Sequence, residues 1–185
     1  AGILLVIFVG RIPAQLKVLD MDFALVTPPD MRAMDWIREH IPPDARFLIN
    51  GIIYTDRVSV VGGDGGWWIP LLARREVTIP PQYALLGEKP IEKGYSQAVN
   101  SLVKQLYQTP ATTQEGKRLL CTHGITHVYI GQRQGMVDAA LPFPPERPML
   151  SAAALAADDD FQVLYHRDRV WIFAFNREIC QTHQE

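Results

Sequence analysis

The residues with the most chemical promise lie between positions 62 and 75. Gly62-Gly-Asp-Gly-Gly66 sets four glycines around one acid and opens onto Trp67 and Trp68. Glycine-rich loops hold phosphates when their amides converge at a helix start. A P-loop also needs a lysine and a hydroxyl after its last glycine, and no lysine follows Gly66. A dinucleotide fingerprint needs Gly-x-Gly-x-x-Gly directly after a strand, a spacing that Gly63, Gly65 and Gly66 miss. Asp64, in the middle of the loop, would repel an anion. It could instead accept hydrogen bonds from a sugar, with Trp67 or Trp68 stacked on the sugar face. The competing reading is architectural: glycines for a tight turn, tryptophans for the core.

Other combinations are weaker. His123 and His127 have the spacing of a metal pair on one helix face, but Gly124-Ile-Thr126 between them argues against a continuous helix. No serine stands in a Gly-x-Ser-x-Gly elbow. Asp158-Asp-Asp160 matches no calcium loop and reads as a solvated helix end. Cys121 and Cys180 lack neighbouring cysteines at zinc spacing; they fit either one bridge, in an oxidising compartment, or a buried thiol and a tail thiol. No catalytic residue, metal or cofactor is assigned.

The elements that would position these residues alternate. Pro28-Pro29-Asp30 starts a helix through His40, with the prolines before it, Asp30 as its cap, and Ala33, Met34, Trp36, Ile37 and Ile41 on its apolar face. Pro42-Pro43 stops it. A short strand at Phe23–Val26 precedes this helix, and strands follow at 46–50 and 76–79, with a short helix at 67–73 between those two. Arg74-Arg75 suits the dipole at that helix's end. Val99, Leu102, Val103 and Leu106 mark a helix over 96–108. The next begins at Thr112, with Glu115 in a capping box, and stops at Gly124. A strand at 126–130, a loop over 131–149, a helix from Ser151, and a hairpin of 161–166 with 170–175 complete the chain. This order specifies an α/β fold, a mixed sheet flanked by helices and ending in an antiparallel hairpin.

With 185 residues, 48% of them hydrophobic and 21% charged, the chain has the make-up of one globular domain rather than a disordered segment. A formal charge of -2 shows no basic footprint for nucleic acid. Ala1–Gly10 is apolar and uncharged. Ten residues fall short of the roughly 20 that span a bilayer core. The run reads as the last turns of a transmembrane helix, or as a buried segment of the domain. The organisation expected is 1–27 as membrane-helix end and connector, 28–176 as one α/β domain, and 177–185 as a tail.

Four segments carry a likeness. Asp30-x3-Met34-x-Trp36-Ile37 with Ile41-Pro42-Pro43-Asp44-Ala45, Asp64-Gly-Gly-Trp67-Trp68 with Arg75-x-Val77, Gly124-Ile-Thr-His-Val-Tyr129, and Phe161-x-Val-Leu-Tyr165 with Val170-Trp-Ile-Phe173 come in this order. The set resembles the soluble C-terminal region of polytopic membrane glycosyltransferases that use lipid-phosphosugars, a superfamily including protein mannosyltransferases and oligosaccharyltransferases. The second segment resembles the place where oligosaccharyltransferases carry a Trp-Trp-Asp motif near their acceptor. Here the order is Asp-Gly-Gly-Trp-Trp, so that acceptor role does not carry over. Asp64, Trp67, Trp68 and Arg75 remain candidate ligand-binding residues. The resemblance implies a non-catalytic extracytoplasmic domain, partnered by the transmembrane part of its own parent chain and by an acceptor or lipid-linked sugar. A free-standing sugar-binding module and a soluble α/β enzyme with a scattered site are the alternatives.

Overall fold

Thr27-Pro-Pro-Asp30 winds the first helix from both directions. In a computed structural model of the chain, which describes residues 24–53, 59–80, 94–135 and 148–181, helix α1 spans Pro28–His40. Thr27, not Asp30, is the N-cap: its hydroxyl accepts the Asp30 amide while the Asp30 carboxylate accepts the Thr27 amide. The prolines therefore lie inside the first turn, where a missing N–H costs nothing. Ala33, Met34, Ile37 and Ile41 are buried as their spacing requires, and Trp36 is half-buried against Tyr165. Of the strand expected at Phe23–Val26, the described residues Ala24–Val26 form none, Leu25 and Val26 being a bend, and Phe23 lies outside the described residues.

The main sheet has five strands in the order β4-β1-β5-β7-β6. β1 (Arg46–Ile49) lies between β4 (Glu76–Val77) and β5 (His127–Ile130), parallel to both. β7 (Val170–Phe175) pairs antiparallel with β5 and with β6 (Phe161–Arg167). The sheet is thus mixed and ends in the expected hairpin. Asp168 and Arg169 form its two-residue turn with φ of 51° and 69°, the left-handed pair that matches strand twist. A second, two-stranded ribbon of β2 (Gly51–Ile53) and β3 (Val60–Gly62) was not visible in the sequence pattern.

A 3-10 turn at Gly65–Trp68 runs into α2 (Ile69–Leu72), with Pro70 in its first turn. Helix α3 (Tyr95–Gln108) buries Val99, Leu102, Val103 and Leu106, and braces the ribbon through Tyr107 Oη on the Gly51 carbonyl at 2.8 Å. α4 spans Gln114–Thr122 and is capped by Thr113. The cap falls one residue later than the sequence spacing suggested, so Glu115 forms no capping box and pairs with Arg118 instead. Gly124 ends the helix with φ of 63°. α5 (Ala152–Ala156) is capped by Ser151.

Two ties hold α4 to the C-terminal part. The acidic run after α5 is no solvated helix end: Asp158 and Asp160 hold Lys117 at 2.8 and 2.6 Å. Burial lowers the Lys117 pKa, but the two aspartates outweigh it and raise it overall. Cys121 and Cys180 form a disulfide that fastens the 3-10 turn Arg177–Cys180 to α4. The bridge closes a sequence separation of 59 residues.

Among the described residues no helix is long and apolar enough to cross a membrane. The reading of Ala1–Gly10 concerns residues outside the described set. Where α4 begins, Gly116 leaves no room for a side chain, because a Cβ there would overlap the Pro110 carbonyl. Gly116→Ala should lower the urea midpoint by an amount worth about 1–3 kcal/mol, with an unchanged denaturant slope. An unaltered midpoint would show that the 110–116 turn yields freely.

Candidate functional site

The first strand of the sheet is flanked by the second on one side and the third parallel strand on the other. In such sheets the crevice beyond the carboxyl ends, at the point where strand order reverses, is the usual ligand site. β1 and β5 meet that description, with Asn50 and Gly131 as their next residues. Here the chain itself fills the crevice. Asp30, Asn50, Asp64 and Tyr129 gather there, each 0% exposed.

Every carboxylate oxygen in this knot is occupied. Asp64 Oδ2 accepts from Asn50 Nδ2 at 3.1 Å and the Gly131 amide at 3.0 Å, while Oδ1 accepts the Gly66 amide at 3.0 Å. Asp30 Oδ1 accepts from Tyr129 Oη at 2.8 Å and the Gln132 amide at 3.0 Å. Its Oδ2 accepts the Thr27 amide at 2.9 Å and hydroxyl at 2.6 Å. Asn50 Oδ1 in turn accepts the Leu150 amide at 2.9 Å. Five separated stretches of chain thus end on three polar side chains.

The loop glycines serve this closure. A side chain at Gly65 would strike Asp30, and one at Gly66 would strike Tyr129 and Ile49. Their lack of a Cβ lets the loop lie directly on the knot, which is a packing use of glycine rather than a phosphate cradle. Burial raises the Asp64 pKa from 3.8 to about 6, opposed by its bonds from Gly131, Asn50 and Gly66 and reinforced by the nearby Asp30 charge. Burial likewise pushes the Tyr129 hydroxyl well above its ordinary range, with Asp30 and Asp64 adding to the effect.

Of the four candidate residues, Asp64 is therefore a sealed internal acceptor. Trp67 and Trp68 are half-buried. The Trp67 indole donates to the Pro80 carbonyl at 2.9 Å, and the buried Trp68 indole N–H has no hydrogen-bond partner. Arg75 lies elsewhere: its Nε and Nη2 donate to the Ile41 carbonyl beyond α1, its Nη2 also to Arg38, and its Nη1 to Ala73 and Arg74. It acts as a C-terminal cap for α1 rather than an outward-facing cation. The structure does not bring Arg75 to Asp64. What the sequence reading missed was the partnership of Asp30, Asn50 and Tyr129. A polar residue ending an apolar strand, as Asn50 does, and a glycine following another, as Gly131 does, were the available signals.

No family model matches the chain, and no curated protein or solved structure matches it.

Replacing Asp64 by asparagine tests the knot. The raised pKa means that the folded protein keeps the Asp64 proton where the unfolded chain has lost it. Stability from this group therefore falls as pH rises from about 4 to about 6, by roughly 3 kcal/mol. Asp64→Asn removes that titration but turns an NH2 toward N–H donors, so it should be destabilising throughout. The gap to wild type should be largest near pH 4 and should narrow by roughly 3 kcal/mol at pH 7. Subtraction cancels shared titrations such as those of His123 and His127, which burial lowers, and Asp160, which Lys117 lowers. Paired denaturation curves showing a pH-independent gap would contradict the assignment.

Proposed function

We propose that the chain is a non-catalytic, extracytoplasmic accessory domain of a membrane glycosyltransferase, helping to position an acceptor or lipid-linked sugar. The observation that carries this reading is the Cys121–Cys180 disulfide. Structural disulfides persist on the oxidising side of a membrane and are rare in the cytosol. The apolar Ala1–Gly10 run and the four-segment resemblance support membrane attachment through the parent chain. The absence of catalysis is supported by the knot, because both buried acids spend their lone pairs on the protein's own donors. An acid so engaged cannot serve a substrate without dismantling the crevice.

The reading is tested on the native protein, with an antibody raised against this domain. The expected species is membrane-bound, far heavier than 20.8 kDa, and its Cys121 and Cys180 accept a thiol label only after reduction. A freely soluble species of 20.8 kDa with readily labelled thiols would overturn the proposal.

A further inference from the structure

The β6–β7 hairpin end of the sheet carries a cluster of arginines. Ile130 pairs with Trp171, which sets the hairpin turn Asp168-Arg169 beside the 131–135 turn. Gln134 Nε2 donates to the Arg169 carbonyl, and Arg32 Nη2 bonds Asp168 Oδ2 at 2.6 Å, so the start of α1 joins the same edge. Arg133 Nε donates to the Ala24 carbonyl at 3.4 Å. Ala24 is therefore held beside Arg133, and Arg32, Arg167 and Arg169 are exposed around the same hairpin turn.

Among the described residues of 24–34, 131–135 and 166–171 the exposed acid is Asp168, which pairs with Arg32, so Arg167 and Arg169 are the exposed cations of the turn. The chain as a whole carries -2, so this positive edge departs from the average surface. The same elements, α1 and the hairpin, also expose apolar groups. Met31 is 42% exposed, Pro28 is exposed, and exposed His166 stacks on half-buried Trp171 with ring centroids 3.3 Å apart. Arginine beside Met and Trp is the composition of a surface that meets lipid headgroups: guanidinium on phosphate, with amphipathic rings at the interface.

We propose that this edge docks on an anionic phospholipid surface. The proposal rests on the membrane reading above for why a bilayer would be at hand, and on the arginine cluster for its preference for anionic lipid.

Sedimentation of the full chain with vesicles tests it. Two compositions are compared, pure phosphatidylcholine and phosphatidylcholine with about 30 mol% phosphatidylglycerol. Binding by the apolar N-terminal segment contributes to both and cancels in the comparison. The anionic vesicles should bind about tenfold more tightly or better, and the advantage should vanish at high salt. The double variant R167Q/R169Q should lose most of that advantage. D168N, which removes the acid from the edge, should increase it by roughly threefold, a gain that misfolding does not produce. Equal binding to both compositions, or anionic binding unaltered in R167Q/R169Q, would overturn the proposal. A native species that proves small and soluble would sink the transferase reading without altering the vesicle result, so the two failures are distinguishable.

Discussion

Two carboxylates buried in the same crevice are the constraint around which this domain is arranged. A buried carboxylate without partners is prohibitively expensive, and one with several donors is tolerable. Asp30 and Asp64 each gather their donors from distant parts of the chain. Satisfying them requires α1, the end of β1, the glycine loop and the end of β5 to be in place together. Leu150 joins through Asn50. The cooperative burden of the fold thus falls on polar groups at the sheet's carboxyl edge, while Phe47, Leu48, Ile49, Val128 and Phe173 supply the apolar core beneath.

This arrangement explains why a crevice usually reserved for a ligand holds protein. The glycine loop folds inward because Gly65 and Gly66 have no side chain to keep it away from Asp30 and Tyr129. Its acid then caps the short 3-10 turn and bonds both strand ends. The two tryptophans follow at the margin, Trp67 fixed by Pro80. At the hairpin turn, by contrast, Arg167 and Arg169 remain exposed.

Local signals were legible in the sequence. The three-and-four spacing of Val99, Leu102, Val103 and Leu106 gave α3, Gly124 gave a helix stop, and the apolar runs around Arg167-Asp-Arg169 gave the hairpin. Helix caps shifted where two residues compete for one role, by three positions between Asp30 and Thr27 and by one between Thr112 and Thr113. The β2–β3 ribbon was hidden because each strand has three residues, too few to show a period. The candidate site was only partly legible. Asp64 and its glycines stood out by composition, but composition does not say whether an acid faces solvent or three amides. The Asp158–Asp160 run was misread, and the link from Arg75 to Ile41 went unseen, for the same reason: Lys117 and Ile41 lie far away in sequence.

The most direct test of the knot is amide hydrogen exchange at Gly66, Gly131, Gln132 and Leu150, whose N–H groups bond Asp64, Asp64, Asp30 and Asn50. If the knot organises the fold, these amides should exchange as slowly as those inside β1 and β5, opening only when the domain unfolds. Exchange as fast as that of the exposed Asp168-Arg169 turn would show that the carboxylates are satisfied only transiently, and would contradict the account.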